Sequence, residues 1–136
     1  MSDTMHQPPS SPPDAAEIAR VFALPGPDRY LLFLSEALAQ GRVWTLRGEG
    51  GFVAFSDDEG HDCFPFWPAP AFAAALADGD WSDCRPEPLE LQAFMRRWLT
   101  GMARDGRLVS VFPTPDGAGT VIDPGTLLAD LEDERA

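Results

Sequence analysis

The sequence of 136 residues has no lysine and no asparagine, and it has only one tyrosine, two isoleucines and two cysteines. The absence of lysine excludes Schiff-base chemistry and every other mechanism that needs a lysine amine. Cys63 and Cys84 do not form a C-x-x-C motif, so neither a redox pair nor a zinc ribbon is indicated, and we expect two free thiols. All ten basic residues are arginine, while alanine, glycine and proline are abundant. This bias is typical of GC-rich coding and indicates a bacterial protein.

Long apolar runs are also absent. The longest, residues 68–77, is interrupted by prolines and has about half of the roughly 20 residues that a membrane-spanning helix needs. The N-terminus has no basic region followed by a continuous apolar core, so we predict a cytoplasmic protein without a secretory signal or a membrane partner. The net charge of −12 argues against nucleic-acid binding, because that binding depends on arginine and lysine side chains that neutralise phosphates.

The first 13 residues, MSDTMHQPPSSPP, are polar and rich in proline. They have too little apolar surface to offset the entropy lost on ordering. We therefore predict a disordered tail over residues 1–13 and a single domain over residues 14–136. The stretch QPPSSPP within this tail also fits a proline-rich ligand of the PxxP type.

Apolar residues recur at helical spacing in five segments of the domain. The segments are 14–24, 26–41, 68–79, 89–106 and 123–131. Asp14 is a suitable N-terminal cap for the first segment. Gly41, Gly79 and Gly106 are suitable C-terminal stops, since glycine adopts the left-handed conformation that ends many helices. We therefore predict four to five helices.

A period of two replaces the helical period between residues 42 and 67. GEGG and DDEG supply glycine for two turns, so we predict a three-stranded meander that ends at Trp67-Pro68. Residues 81–91 are expected to cross back in an extended form, and RLVSVFPT with GTVID predicts a C-terminal hairpin. Strands and helices that are grouped in this way predict an α+β fold, with an antiparallel sheet of about five strands packed with about four to five helices.

Short motifs of aromatic, glycine and proline residues follow one another along these segments. They are Trp44 with Leu46, Gly51-Phe52, Phe66-Trp67-Pro68, Phe94 with Trp98, Asp105-Gly106 and Val111-Phe112-Pro113. In this order they resemble the bacterial family catalogued as domain of unknown function 2750, over about residues 28–131. The resemblance implies a compact cytosolic bacterial domain and implies no catalytic residue.

Two chemical hypotheses centre on the stretch DDEGHDC. The side chains that offer nitrogen, sulfur and oxygen ligands to zinc are His61, Cys63, Cys84 and Asp57 or Asp62. His61 and Cys63 lie two positions apart on an expected strand, which permits two ligands on one face but supplies no closed tetrahedral set.

The second hypothesis is nucleophilic catalysis by Cys63 with His61 as the base. The spacing of the two side chains, about 6 to 7 Å by strand rise, is too long for a thiol–imidazole hydrogen bond. We therefore expect no metal and no cofactor, and a buried thiol beside an exposed histidine.

The four tryptophans are expected in the core or at the rim of the sheet. Trp44 and Trp98 lie on apolar faces, whereas Trp67 and Trp81 lie beside loops, so an exposed tryptophan is expected to be one of the latter two. The candidate binding residues are His61, Trp67, Trp81 and Arg85, at a loop edge formed by residues 57–68 and 78–86.

We therefore predict a small, non-enzymatic binding or interaction module with a protein partner. A second hypothesis is an acidic, immunity-type protein that neutralises a toxin by masking its basic catalytic cleft. A third is a hydrolase that uses Asp57, His61 and Cys63. The sequence specifies neither the partner nor the oligomeric state.

Overall fold

The computed structural model describes residues 13–117 and 119–135. Of the predicted tail, residues 1–13, only Pro13 is therefore among the described residues. The helices are α1 (Ala15–Phe22), α2 (Gly26–Gln40), α3 (Pro70–Ala75), α4 (91–104) and α5 (Pro124–Arg135), and a short 3-10 helix covers Gly79–Trp81. The strands are β1 (Arg42–Gly48), β2 (Gly51–Phe52), β3 (Phe55–Ser56), β4 (Asp62–Phe66), β5 (Arg85–Glu90), β6 (Leu108–Val111) and β7 (Thr120–Ile122). This confirms an α+β fold. None of the helices in the described ranges is long and apolar enough to cross a membrane.

Local capping fixes most helix ends where the sequence predicts them. The Asp14 carboxylate accepts a hydrogen bond from the backbone N–H of Glu17 at 2.8 Å, and α2 ends at Gly41 with a φ of 74°. The expected stop at Gly79 is wrong, because α3 ends at Ala75 and Gly79 instead begins the 3-10 helix.

Helix α4 contains a π-helical segment that the sequence does not predict. It covers Phe94–Leu99, between α-helical turns at either end, and the Thr100 hydroxyl donates to the backbone oxygen of Met95 at 3.4 Å. The Phe94 and Trp98 rings both pack against Phe66, at centroid distances of 4.7 and 5.9 Å. The widened turn therefore lies over the aromatic centre of the core.

The strands form two sheets, not the single meander and hairpin that we predicted. One sheet has the order β2-β1-β5 and the other the order β3-β4-β6-β7. The β1–β2, β3–β4 and β6–β7 hairpins are confirmed, but β2 and β3 belong to different sheets. The expected extended crossing is strand β5, which pairs antiparallel with β1, and β4 pairs parallel with β6.

A pair of backbone hydrogen bonds joins the two sheets. Trp44 and Trp67 exchange N–H···O bonds of 2.9 and 2.8 Å. This pairing is possible because β2 covers only Arg47 and Gly48 on that edge of β1. The contact places the Pro68–Phe72 region beside Trp44, between β1 and the helices.

The backbone turns sharply at Phe112, directly after β6. Phe112 has a φ of 59°, which is unusual for a bulky residue, and its N–H donates to the backbone oxygen of Phe66 at 2.8 Å. The Arg29 guanidinium donates to the backbone oxygens of Phe112, at 3.3 Å, and Leu24. Arg29 therefore ties the end of α1 to this strained turn through carbonyl oxygens.

Candidate functional site

The loop at His61 is held by its own polar atoms. Asp57 Oδ1 accepts hydrogen bonds from the backbone N–H groups of Glu59 and His61, at 2.9 and 2.7 Å, and Asp57 Oδ2 lies 3.1 Å from His61 Nδ1. The hydrogen bond from the backbone of His61 is the main cause that lowers the pKa of Asp57. Gly60 has a φ of 86°, as predicted for this turn. The local bonds therefore account for the acid–histidine pair as turn chemistry.

Metal-ligating groups come together in this loop in a different set from the one expected. Asp57, Glu59 and His61 each offer a ligand atom, and these atoms lie within 4.8 Å of one another. The two cysteines lie elsewhere: the Cys63 thiol contacts the backbone oxygen of His61 at 3.8 Å, and the Cys84 thiol contacts Asp83 at 3.8 Å. The cluster is a surface turn with acidic side chains, an arrangement that is common without an ion.

The Cys63 side chain is fully buried, whereas 43% of the His61 side chain is exposed. The expected arrangement of a buried thiol beside an exposed histidine is thus confirmed. Burial raises the pKa of Cys63, and the charges of Asp57 and Asp62 raise it further. Because the thiolate is the nucleophile, this environment works against nucleophilic catalysis by Cys63.

We expected any exposed tryptophan to be Trp67 or Trp81, and Trp67 is not exposed. Trp67 has no exposed surface, and its Nε1 donates to the backbone oxygen of Pro113 at 2.9 Å. Pro68, which suggested a loop, is itself buried, two residues before α3 begins. Trp67 is therefore a core residue that cannot contact a ligand in this conformation.

The other residues of the expected loop edge do lie at the surface. Trp81 is half-buried and its ring lies 6.5 Å from that of Phe55, while Arg85 is exposed at the start of β5. His61 is exposed in the turn that follows β3. The role of His61, Trp81 and Arg85 in binding stays a prediction.

A concavity lies elsewhere, beside strand β1. We call it the Trp44 groove; its volume is about 650 Å³, within the usual range for ligand sites. Its apolar lining comes from α1, α2, β1 and the start of α3, and comprises Pro13, Val21, Leu32, Trp44, Pro68, Ala69, Pro70, Ala71 and Phe72. Its polar lining is Glu17, Glu36, Gln40 and Arg42. Aromatic and proline side chains thus form the floor, and charges lie at the rim.

Trp44 has one polar atom that the fold leaves without a partner. Its Nε1 is buried and has no hydrogen-bond acceptor within the described part of the chain. An unsatisfied buried donor costs about 1–3 kcal/mol, so native structures contain few of them. The sequence placed Trp44 on an apolar face, and nothing in its local pattern signals this orphaned N–H.

The rim of the groove has an acidic balance. Glu36 accepts a hydrogen bond from the Gln40 side chain at 2.8 Å, and Glu17 lies 3.3 Å from Arg20 in an exposed ion pair. Arg42 lies at the opposite end of the rim, at the start of β1, and is exposed. A ligand for this groove therefore meets apolar surface below and charges of both signs at its edges.

Comparison with known proteins confirms the resemblance seen in the sequence. The family model described as a protein of unknown function, DUF2750, matches residues 30–131. The chain belongs to this family. No curated protein sequence matches it significantly. The DUF2750 match spans β1, the start of α3 and most of α2, and so covers the Trp44 floor of the groove, whereas α1 and Pro13 lie before it.

Proposed function

We propose that this DUF2750 chain is a non-enzymatic interaction module, and that its Trp44 groove binds an extended, proline-containing segment of a protein partner. The observation that carries the proposal is the buried and unpartnered Nε1 of Trp44, a residue that lines this aromatic and proline-rich groove. The Trp44 indole N–H is already desolvated, so a small side-chain shift that brings an acceptor within reach would regain about 1–3 kcal/mol of hydrogen-bond energy.

A polyproline II segment supplies the hydrogen-bond acceptor that Trp44 Nε1 lacks within the described residues. Its backbone makes no internal hydrogen bonds, so its carbonyl oxygens are free to accept one from an indole N–H. Proline-rich segments also lose little entropy on binding and dock in aromatic-lined grooves. The groove already brings proline rings together, since Pro13, Pro68 and Pro70 of this chain line it.

The hydrolase hypothesis has less support from the geometry. Asp57 and His61 are paired, but the Cys63 thiol is buried and its contact is the backbone oxygen of His61 at 3.8 Å. A nucleophile needs its base within about 3 Å and access to substrate. The arrangement favours a structural role for all three residues.

Decaproline is a suitable probe for the groove. It is titrated into the ¹⁵N-labelled chain while the Trp44 indole N–H resonance is followed, with that resonance assigned from a Trp44→Phe variant. Leu32→Glu places a charge in the groove and is expected to weaken binding at least tenfold, which corresponds to about 1.4 kcal/mol. Leu31→Glu is the matched control, because Leu31 is the adjacent residue on α2, is 57% exposed and does not line the groove.

Leu32 also packs against the core, so each variant is first checked by thermal unfolding. Pro70→Glu supplies a second test, because Pro70 lines the groove but is exposed at the first turn of α3, where an acid is tolerated. Equal binding of decaproline by the parent, Leu32→Glu and Pro70→Glu chains, or no shift of the Trp44 resonance, would refute the proposal.

The charge of −12 keeps the immunity-type role as a second candidate. That role predicts binding to a basic protein surface that weakens steeply as salt increases, since exposed charges are screened within about 8 Å at physiological ionic strength. Binding in the apolar groove predicts little change between low and high salt. The salt dependence of partner binding therefore separates the two.

A further inference from the structure

The groove lies where the N-terminal segment of the chain ends. Pro13 is the first described residue and is part of the groove lining, together with Glu17 and Val21 of α1. Residues 1–12, MSDTMHQPPSSP, are therefore joined covalently to a residue that is already in the groove. On the basis of the binding site proposed above, we infer that this segment occupies the Trp44 groove of its own chain and competes there with the partner.

The composition of the segment matches the groove chemically. Pro8, Pro9 and Pro12 precede Pro13, and a proline also restricts the residue before it to extended conformations. The stretch QPPSSPP would span about 20 Å as a polyproline II helix with a rise of 3.1 Å per residue. Such a stretch offers proline rings to the floor at Trp44 and unbonded carbonyls to the orphaned N–H.

Charge does not oppose this occupant. Residues 1–12 contain a single acid, Asp3, and no arginine or lysine, so their formal charge is −1. Arg42 at the rim would attract Asp3. A strongly acidic segment would be repelled by this rim, whereas residues 1–12 are not strongly acidic.

Because residues 1–12 are joined covalently to Pro13, even weak binding would place them in the groove for part of the time. A short flexible connection gives an effective concentration in the millimolar range, so a segment with a dissociation constant of about 1 mM would fill the groove about half of the time. A partner then binds only the open fraction of molecules, and its apparent affinity falls in proportion. The segment would thereby raise the partner concentration that is needed to fill the groove.

The test compares the full chain with two tail variants of three substitutions each. Pro8→Ala/Pro9→Ala/Pro12→Ala removes the proline rings, and Ser2→Ala/Asp3→Ala/Thr4→Ala is the matched control. We expect the proline variant, but not the control, to shift the Trp44 indole N–H and the amides of Val21 and Ala71. We also expect the proline variant to bind decaproline at least twofold more tightly than the parent chain. Added peptide MSDTMHQPPSSPP should return the resonances of the proline variant toward those of the parent.

The outcomes separate this inference from the function on which it rests. If decaproline shifts the groove resonances but the proline variant and the parent have the same spectrum, the groove binds proline-rich segments and the inference is wrong. If decaproline has no effect either, both proposals are wrong. If the parent spectrum changes on tenfold dilution toward that of the proline variant, the occupant is the tail of a second molecule, which overturns occupation within one chain.

Discussion

Phenylalanine in place of Trp44 or Trp67 is expected to affect stability very differently, although the two tryptophans are backbone partners. Trp67 is fully buried and its Nε1 donates to the backbone oxygen of Pro113 at 2.9 Å. Trp44 is half-buried, and its Nε1 has no acceptor in the parts of the chain that the structure describes. Each substitution removes one indole N–H and a similar volume, so the pair compares a bonded with an unbonded N–H once the different burial of the two rings is counted.

The expected cost at Trp67 has two parts. The smaller ring leaves a cavity and loses contacts, which costs about 2 kcal/mol in a rigid core. The substitution also leaves the buried oxygen of Pro113 without its donor, which costs about 1–3 kcal/mol more. Trp67→Phe should therefore lower the free energy of unfolding by about 3–5 kcal/mol.

At Trp44 the two parts oppose each other. Lost contacts cost about 1 kcal/mol, because only part of the side chain is buried. Removal of the unsatisfied N–H returns about 1–3 kcal/mol, since Phe has no donor to desolvate. Trp44→Phe should therefore change stability by between about 0 and 2 kcal/mol of gain.

Urea unfolding followed by far-ultraviolet circular dichroism measures both values, with thermal unfolding as a check. In a domain of this size 1 kcal/mol corresponds to roughly 3–5 °C in Tm, so Trp67→Phe should lower Tm by at least about 10 °C while Trp44→Phe stays within about 5–10 °C of the parent. If Trp44→Phe destabilises the chain as much as Trp67→Phe, the Trp44 N–H has an acceptor, and the argument for a missing ligand atom fails.

Two further predictions concern turns. Gly119→Ala should destabilise the fold by at least about 2 kcal/mol in urea unfolding, because Gly119 has a φ of 77° and a Cβ there would lie 2.5 Å from the backbone oxygen of Val111. Gly117→Ala is the control: its Cβ would have its nearest contact at 3.9 Å, so it should change stability by less than about 1 kcal/mol. Equal effects of the two substitutions would contradict the reasoning. The folded-state pKa of Asp57 is lowered, so its contribution to stability is complete above its unfolded pKa and is lost as pH falls through the folded value. The stability difference between the parent and Asp57→Asn should therefore shrink below about pH 4, and a difference that is constant from pH 7 to pH 3 would show that the carboxylate does not support the turn.

The candidate site was only partly accessible from the sequence. Exposure of His61 and burial of Cys63 follow from a turn glycine and an apolar strand, which act over a few residues. Trp67 precedes a proline that suggests a loop, yet it lies in the core because the hydrogen bonds to Trp44 and Pro113 hold it inside. The Trp44 groove was missed altogether, since its walls come from four elements whose arrangement no local pattern encodes.

The sequence by itself determined the presence of the five helices and the turns of the three hairpins. Asp14, Gly41 and Gly60 act on backbone groups within about four residues, so their effect does not depend on the rest of the fold. Only the tertiary structure decided the division into two sheets, the parallel pairing of β4 with β6 and the groove. Every strand edge presents the same N–H and C=O groups, so the choice of partner, such as Trp67 for Trp44, depends on how the whole core packs and not on the residues that pair.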